Sequence, residues 1–243
     1  MNNYDMEELR RINYIELLRD DAFKDIAAYT WQFSNADMTA EMQKAKRYAE
    51  EWDSFRREGT GLIFIGDTWR GKSYAAGCIA NELLKRMLSV RFVRMVDVVS
   101  YMQRCYGDEL EKYFKHLMSP ELLIIDDLGV ERDTAFAQEC VYEVIEHRIA
   151  TGKPMIITTN IPLQEMQGAK CIGERRIYSR ILSYCVPVLF DGIDFREHMA
   201  KKNMIKVNSI MNNDQKEKPN GTNDKLCANS PEGDANDQRS SRV

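Results

Sequence analysis

The sequence predicts an α/β fold, a parallel sheet with helices on both faces. Three observations carry this. Between residues 61 and 190, short apolar runs rich in β-branched residues alternate with longer amphipathic runs, the pattern of strands joined by crossover helices. One of these runs, Leu122-Leu123-Ile124-Ile125, is apolar without alternation, as a central strand buried on both faces requires. The first strand then enters Gly66-Asp67-Thr68-Trp69-Arg70-Gly71-Lys72-Ser73 and a helical run comes after it, which is the order of a phosphate-binding loop.

The first elements are helical. Residues 6–18 place Leu9, Ile12, either Ile15 or Leu17, and Leu18 near one helical face, and the aromatics Phe23, Tyr29, Trp31 and Phe33 come next. A second helix is expected over 38–57, with Met42, Ala45, Ala49 and Trp52 on one side, ended by Gly59-Thr60-Gly61. Residues 1–58 thus read as a helical N-terminal region, either packed on the nucleotide domain or offering a partner surface. Strands are expected at 61–65, 90–96, 122–127, 155–159 and 186–190. Helices are expected at 74–88, 97–106, 108–118, 134–150 and 175–184. The helix over 134–150 carries Phe136, Cys140, Val144 and either Ile145 or Ile149 on its apolar side and stops at Gly152-Lys153-Pro154. Residues 59–207 form one domain in this reading. From about residue 208 Asn, Asp, Lys, Ser, Gly and Pro dominate, so 208–243 reads as a disordered polar tail.

Composition bounds the function. Net charge is −4 over 243 residues, which removes a global basic field as an argument for nucleic acid; 44% hydrophobic residues suffice for a core. The cysteines Cys78, Cys105, Cys140, Cys171, Cys185 and Cys227 are scattered, with no C-x-x-C pair, and read as buried reduced thiols rather than zinc ligands or disulfides. The N-terminus has no apolar signal core, and no apolar run approaches the roughly 20 residues of a membrane span. A soluble, cytoplasmic protein that does not engage membrane is expected.

The loop sets the chemistry. Gly66 turns the chain off the strand, and Gly71 admits a phosphate close to the backbone. The amides of the next helix start point at the anion. Lys72 would reach the outer phosphates and Ser73 would ligate Mg²⁺. The nucleotide-binding set is therefore Gly66, Asp67, Thr68, Trp69, Arg70, Gly71, Lys72, Ser73 and Tyr74, with ATP and Mg²⁺ as cofactors. Asp126, ending a strand, suits the metal; Asp127 beside it suits a general base for water. A pair of acids closing a strand before a turn is the plain alternative. Asn160, at the tip of the next strand, suits positioning the same water, or simply turn chemistry. Arg176 and Arg180 share a helical face beside Arg175. They suit charge developing on a γ-phosphate, particularly one in a neighbouring subunit, or else form a solvated basic face. Arg196 could contact phosphate within its own chain. Lys85, Arg86, Arg91, Arg94 and Arg104, interleaved with Tyr101, Tyr106, Tyr113 and Phe114, have the mixture of a single-strand groove, though amphipathic helices with core aromatics look the same.

Gly66-x-x-x-x-Gly71-Lys72-Ser73, the Ile-Asp-Asp-Leu-Gly string ending at Gly129, Ile156-Ile157-Thr158-Thr159-Asn160 and Arg176-Ile177-Tyr178-Ser179-Arg180 together resemble the AAA+ ATPases of the DnaC/DnaI helicase-loader and IstB-like group. The resemblance implies a five-stranded parallel AAA+ sheet. It implies Lys72 and Ser73 on nucleotide and Mg²⁺, Asp126 and Asp127 at metal and water, and Asn160 as sensor 1. Arg176 or Arg180 becomes the arginine finger, with Arg196 as sensor 2. It further implies ATP hydrolysis, self-association through the nucleotide site, single-stranded DNA and a replicative hexameric helicase as partners. The other expectations are an IstB-like transposition accessory ATPase and a nucleotide-gated binding protein that does not hydrolyse. The last is raised by a departure from the group: Trp69 and Arg70 stand where its loop carries Gly and a small residue.

Overall fold

Five strands pair in parallel in the order β2-β3-β4-β1-β5 in a computed structural model of the chain, which describes residues 3–24, 27–131, 134–192 and 194–213. They are β1 (Gly61–Ile65), β2 (Val90–Arg94), β3 (Leu122–Leu128), β4 (Met155–Thr159) and β5 (Cys185–Leu189). The helices are α1 (Asn3–Phe23), α2 (Ala40–Glu50), α3 (Trp52–Glu58), α4 (Lys72–Lys85), α5 (Met95–Met102), α6 (Asp108–Met118), α7 (Ala135–Ala150), α8 (Leu163–Gln167), α9 (Ile172–Tyr184) and α10 (Phe195–Asn213). The described residues divide after His198 into two units. The polar tail expected from residue 208 begins inside α10, and 214–243 lie outside the described residues. Cys227 falls there too.

Successive strand residues point to opposite faces, and both faces are buried. Leu62, Phe64, Leu122, Ile124 and Ile156 join one apolar cluster with Ile79 and Leu83 of α4. Ile63, Ile65, Leu123, Ile125 and Ile157 join the other with Met95, Val144 and Ile181. Each such side chain contributes about 1.5–3 kcal/mol on burial, which is why these strands read as unbroken apolar runs. β5 is an edge strand and so tolerates Pro187.

The N-terminal region is part of this core. Phe23, Tyr48 and Trp52 are buried in the same cluster as α4. The Asn81 side chain donates to Ala28 O (2.8 Å) and Trp31 O (2.9 Å), fixing the segment before α2 onto α4. The helix expected over 38–57 is broken at Glu51 (φ −92°, ψ 20°), which lets Trp52 enter the core while Phe55 stacks on Tyr48 at 4.6 Å. Thr39 starts α2 by accepting from Met42 N at 3.3 Å. β2 stops at Arg94, short of residue 96, because Met95 opens α5, where Arg94 pairs with first-turn Asp97 at 2.7 Å. α4 begins at Lys72 rather than 74, so its first turn lies within the phosphate-loop motif. The short α8 carries no periodicity that would announce it.

Arg148 is among the buried polar residues that the sequence pattern does not announce. Arg148 of α7 is 0% exposed and donates to the carbonyls of Met118, Pro120, Glu121 and Pro154 at 2.6–3.1 Å. It ties the chain entering β3 to the chain entering β4. Burial lowers its pKa to about 10. Among the described residues, no helix is long and apolar enough to cross a membrane.

Candidate functional site

The loop leaves the carboxyl end of β1 between two neighbours. Gly66 N donates to Thr159 O of β4 (3.3 Å), and Phe190 N, beyond β5, donates to Ile65 O (2.7 Å). A Cβ on Gly66 would stand 2.2 Å from Phe190 O, so only glycine permits this exit. The first-turn amides of α4 have no intrahelical acceptors, the condition for holding an anion. Lys72 is buried, and its ammonium donates to Gly66 O, Asp67 O and Asn160 Oδ1, each at 2.7 Å. All its protons are therefore engaged, and Lys72 links the loop to the tip of β4. Burial lowers its pKa, opposed by the carboxylates of Asp127, Asp126 and Asp67.

Asp126 and Asp127 occupy a β-bulge. β3 pairs with β4 through Ile125↔Ile157, then Leu128↔Thr159, so two acidic residues oppose the single Thr158. Asp127 takes φ 57°, which turns its side chain away from the regular pleat. The Thr158 hydroxyl repairs the broken ladder: it accepts from Asp127 N (2.9 Å) and donates to Asp126 Oδ1 (2.6 Å) while fully buried. Burial raises the Asp126 pKa, opposed by hydrogen bonds from Thr158 and Ser73. The Ser73–Asp126 contact brings the two expected metal ligands together. Thr158 is the residue that sequence reasoning passed over; two adjacent threonines closing an apolar strand were the available signal.

The arginines lie elsewhere. Arg180 Nε pairs with Glu146 Oε1 of α7 at 2.8 Å, and the Arg176 guanidinium sits 5.6 Å from the Tyr142 ring centroid. Arg175 donates to Ala169 O and Lys170 O. Arg176 and Arg180 thus share an α7–α9 surface, and their described partners are not on the phosphate loop. Arg196 pairs with Asp194 (3.4 Å) and lies 6.0 Å from the Trp69 ring centroid. Trp69 is exposed, at φ 65°; Arg70 donates to Gly192 O and approaches Asp67 at 4.0 Å. The Tyr74 side chain turns away from the loop, donating to Gln32 O (3.1 Å) and packing on Trp31.

Several residues of the supposed single-strand groove serve the fold instead. Arg91 is buried and donates to Asp21 O and Oδ2 beside His116; Tyr113 and Phe114 pack against the core. Lys85, Arg86 and Arg94 pair with Glu82, Asp53 and Asp97. The Tyr101 ring stacks on Tyr113 at 4.1 Å, while Tyr106 stands exposed. Cys78, Cys105, Cys140 and Cys185 are buried free thiols, but Cys171 is exposed at the start of α9.

Known proteins are similar to this chain. The replicative helicase loader DnaC of Escherichia coli strain K12 is 29% identical over 164 residues, 66% of this chain and 65% of that one, so this chain matches just under two thirds of that relative's length. A Mycobacterium tuberculosis protein, named for ATP binding within an insertion sequence, is 25% identical over 211 residues, covering 78% of this chain and 82% of its own. A crystal structure of DnaI superposes with a TM-score of 0.57 at 22% identity over 69% of this chain and 91% of its own, a likeness of fold. The sequence pattern described as IstB-like ATP binding protein matches residues 6–198. With its parallel five-stranded sheet and phosphate loop, the chain belongs to the IstB-like ATP-binding family.

Proposed function

We propose that this protein is a Mg²⁺-dependent ATPase that loads a replicative hexameric helicase onto single-stranded DNA. The observation that carries the chemistry is the convergence of Lys72, Ser73, Asp126 and Asn160 at the carboxyl ends of β1, β3 and β4, with Lys72 bonded directly to Asn160 at 2.7 Å and Ser73 beside Asp126. The donor set fits Mg²⁺: a hydroxyl and a carboxylate are hard oxygen ligands. Magnesium held by Ser73 and Asp126 would neutralise phosphate charge. Lys72 binds the outer phosphates, Asp127 polarises the attacking water and Asn160 positions it. Arg176 or Arg180, already side by side on α9, completes the site of a neighbouring copy, which makes assembly depend on nucleotide.

The helicase and DNA parts of the reading rest on the named activity of the DnaC relative. The test is phosphate release from ATP with and without single-stranded DNA, beside direct ATP titration of the wild type and Lys72→Ala. Binding by the wild type, its loss in Lys72→Ala and turnover raised by single-stranded DNA are expected. An unchanged ATP affinity in Lys72→Ala would sink the site. The longer match to the insertion-sequence relative favours a second reading, a transposition accessory ATPase. Stimulation by duplex DNA in preference to single strands would select it.

A further inference from the structure

Trp69 and Arg70 depart from the group's loop pattern, and the structure gives them work. Both reach the segment beyond β5. Phe195 N, the first helical amide of α10, donates to Trp69 O at 3.0 Å. Arg70 donates to Gly192 O. The Arg196 guanidinium lies over the Trp69 ring at 6.0 Å and pairs with Asp194 at 3.4 Å. Asp194 Oδ1 in turn accepts from Arg196 N at 2.9 Å, and its carboxyl is held below the ordinary range by that amide first. The Phe195 ring covers Gly71: a Cβ there would meet Phe195 Cε2 at 3.2 Å. Trp69 keeps φ 65°, a conformation that bulky side chains avoid unless their surroundings hold it.

We propose that Trp69 and Arg70 form a latch that positions Arg196 at the mouth of the phosphate loop and slows nucleotide exchange. This deepens the nucleotide-binding reading and rests on it. The physical argument is one of coupling. The amides that cradle phosphate belong to residues 66–73, and the loop's tip is joined to the start of α10 by main-chain, cation–π and arginine–carbonyl contacts at once. Residues Phe195 and Arg196 lie over the loop's outer side, so a nucleotide leaving the loop must part these contacts or pass beside them. A small residue at position 69 offers no ring to Arg196, and one at position 70 offers no donor to Gly192. The same loop with Gly and a small residue would therefore exchange nucleotide faster.

The experiment preloads a fluorescent ATP analogue on the full chain and tracks its release in a stopped-flow chase with excess ATP. Trp69→Ala and Arg196→Ala should each speed release by about threefold to tenfold, the scale of a single cation–π contact with its supporting bond. Because both act through one contact, the double variant should be no faster than the quicker single variant. Trp69→Phe keeps an aromatic face and should restore slow release to within about twofold of the wild type. Release unchanged in both single variants overturns the latch, as does Trp69→Phe releasing as fast as Trp69→Ala, or a double variant whose effects multiply. Failure of the wild type to bind the analogue at all overturns the nucleotide reading together with the latch; normal wild-type binding with unaltered variant kinetics overturns the latch alone.

Discussion

Thr158→Val removes one oxygen and adds a methyl of similar volume, leaving no cavity, so its consequences isolate the bulge. Asp127 N–H loses its acceptor and Asp126 loses a donor. A neutral bond of about 0.5–1.5 kcal/mol and a bond to a carboxylate of about 1.5–3 kcal/mol together predict a loss of about 2–4.5 kcal/mol in stability. Because Thr158 orients the expected metal carboxylate, the Mg²⁺ requirement for ATP binding should rise by about 10–100-fold. The sign with pH comes from burial. Asp126 already has a raised pKa, and Thr158 is among the groups pulling it back. Removing Thr158 raises it further, so the folded protein holds that proton to higher pH and protons compete better with Mg²⁺. The defect should be worst at acid pH and ease as pH climbs through the new Asp126 pKa. Urea unfolding gives the stability term, and Mg²⁺ titrations of ATP binding across pH give the metal term. Thr158→Ser keeps the hydroxyl and should stay near the wild type in both. A Thr158→Val protein with wild-type Mg²⁺ dependence at every pH would refute the idea that this hydroxyl organises the site.

Three further outcomes are expected. Arg148→Met strands buried carbonyls that one guanidinium satisfies; urea unfolding should show a loss of at least about 3 kcal/mol, and a loss below about 1 kcal/mol would mean water replaces the guanidinium. Gly77→Ala places a Cβ 2.3 Å from Trp31 Cε3 of the segment fastened on α4. It should cost about 1–3 kcal/mol and open residues 27–36 to limited proteolysis, against an uncut wild type under the same protease. If Arg180 serves a neighbouring copy, Arg180→Ala and Lys72→Ala subunits should each be inactive alone but regain phosphate release when mixed. A mixture no better than its components assigns the finger elsewhere, with Arg176→Ala as the next subunit to mix.

The sequence alone determined the sheet, the order of its strands along the chain and the phosphate loop. These depend on local patterns: a doubly buried strand must be apolar throughout, and Gly66 and Gly71 meet backbone demands no other residue meets cheaply. It also placed Gly66, Asp126, Asp127 and Asn160 at strand ends, where a parallel sheet collects its ligands. Spatial facts needed the tertiary structure. The bulge that makes Thr158 face both acids is a mismatch of register between β3 and β4, and register is a property of two strands together. Arg91 carries the charge of a possible nucleic-acid contact in the sequence, yet α1 engages it through Asp21, and Arg148, to which the periodicity of its helix assigns no role, is surrounded by four carbonyls. The break at Glu51 answers to Trp52 reaching the core rather than to any local signal. Trp69 and Arg70 read as an anomaly because their partners, Gly192, Phe195 and Arg196, are far along the chain and adjacent only once β5 pairs beside β1. Periodicity reports what a residue needs from its own element; what a charged or aromatic side chain meets is set by elements that folding brings to it.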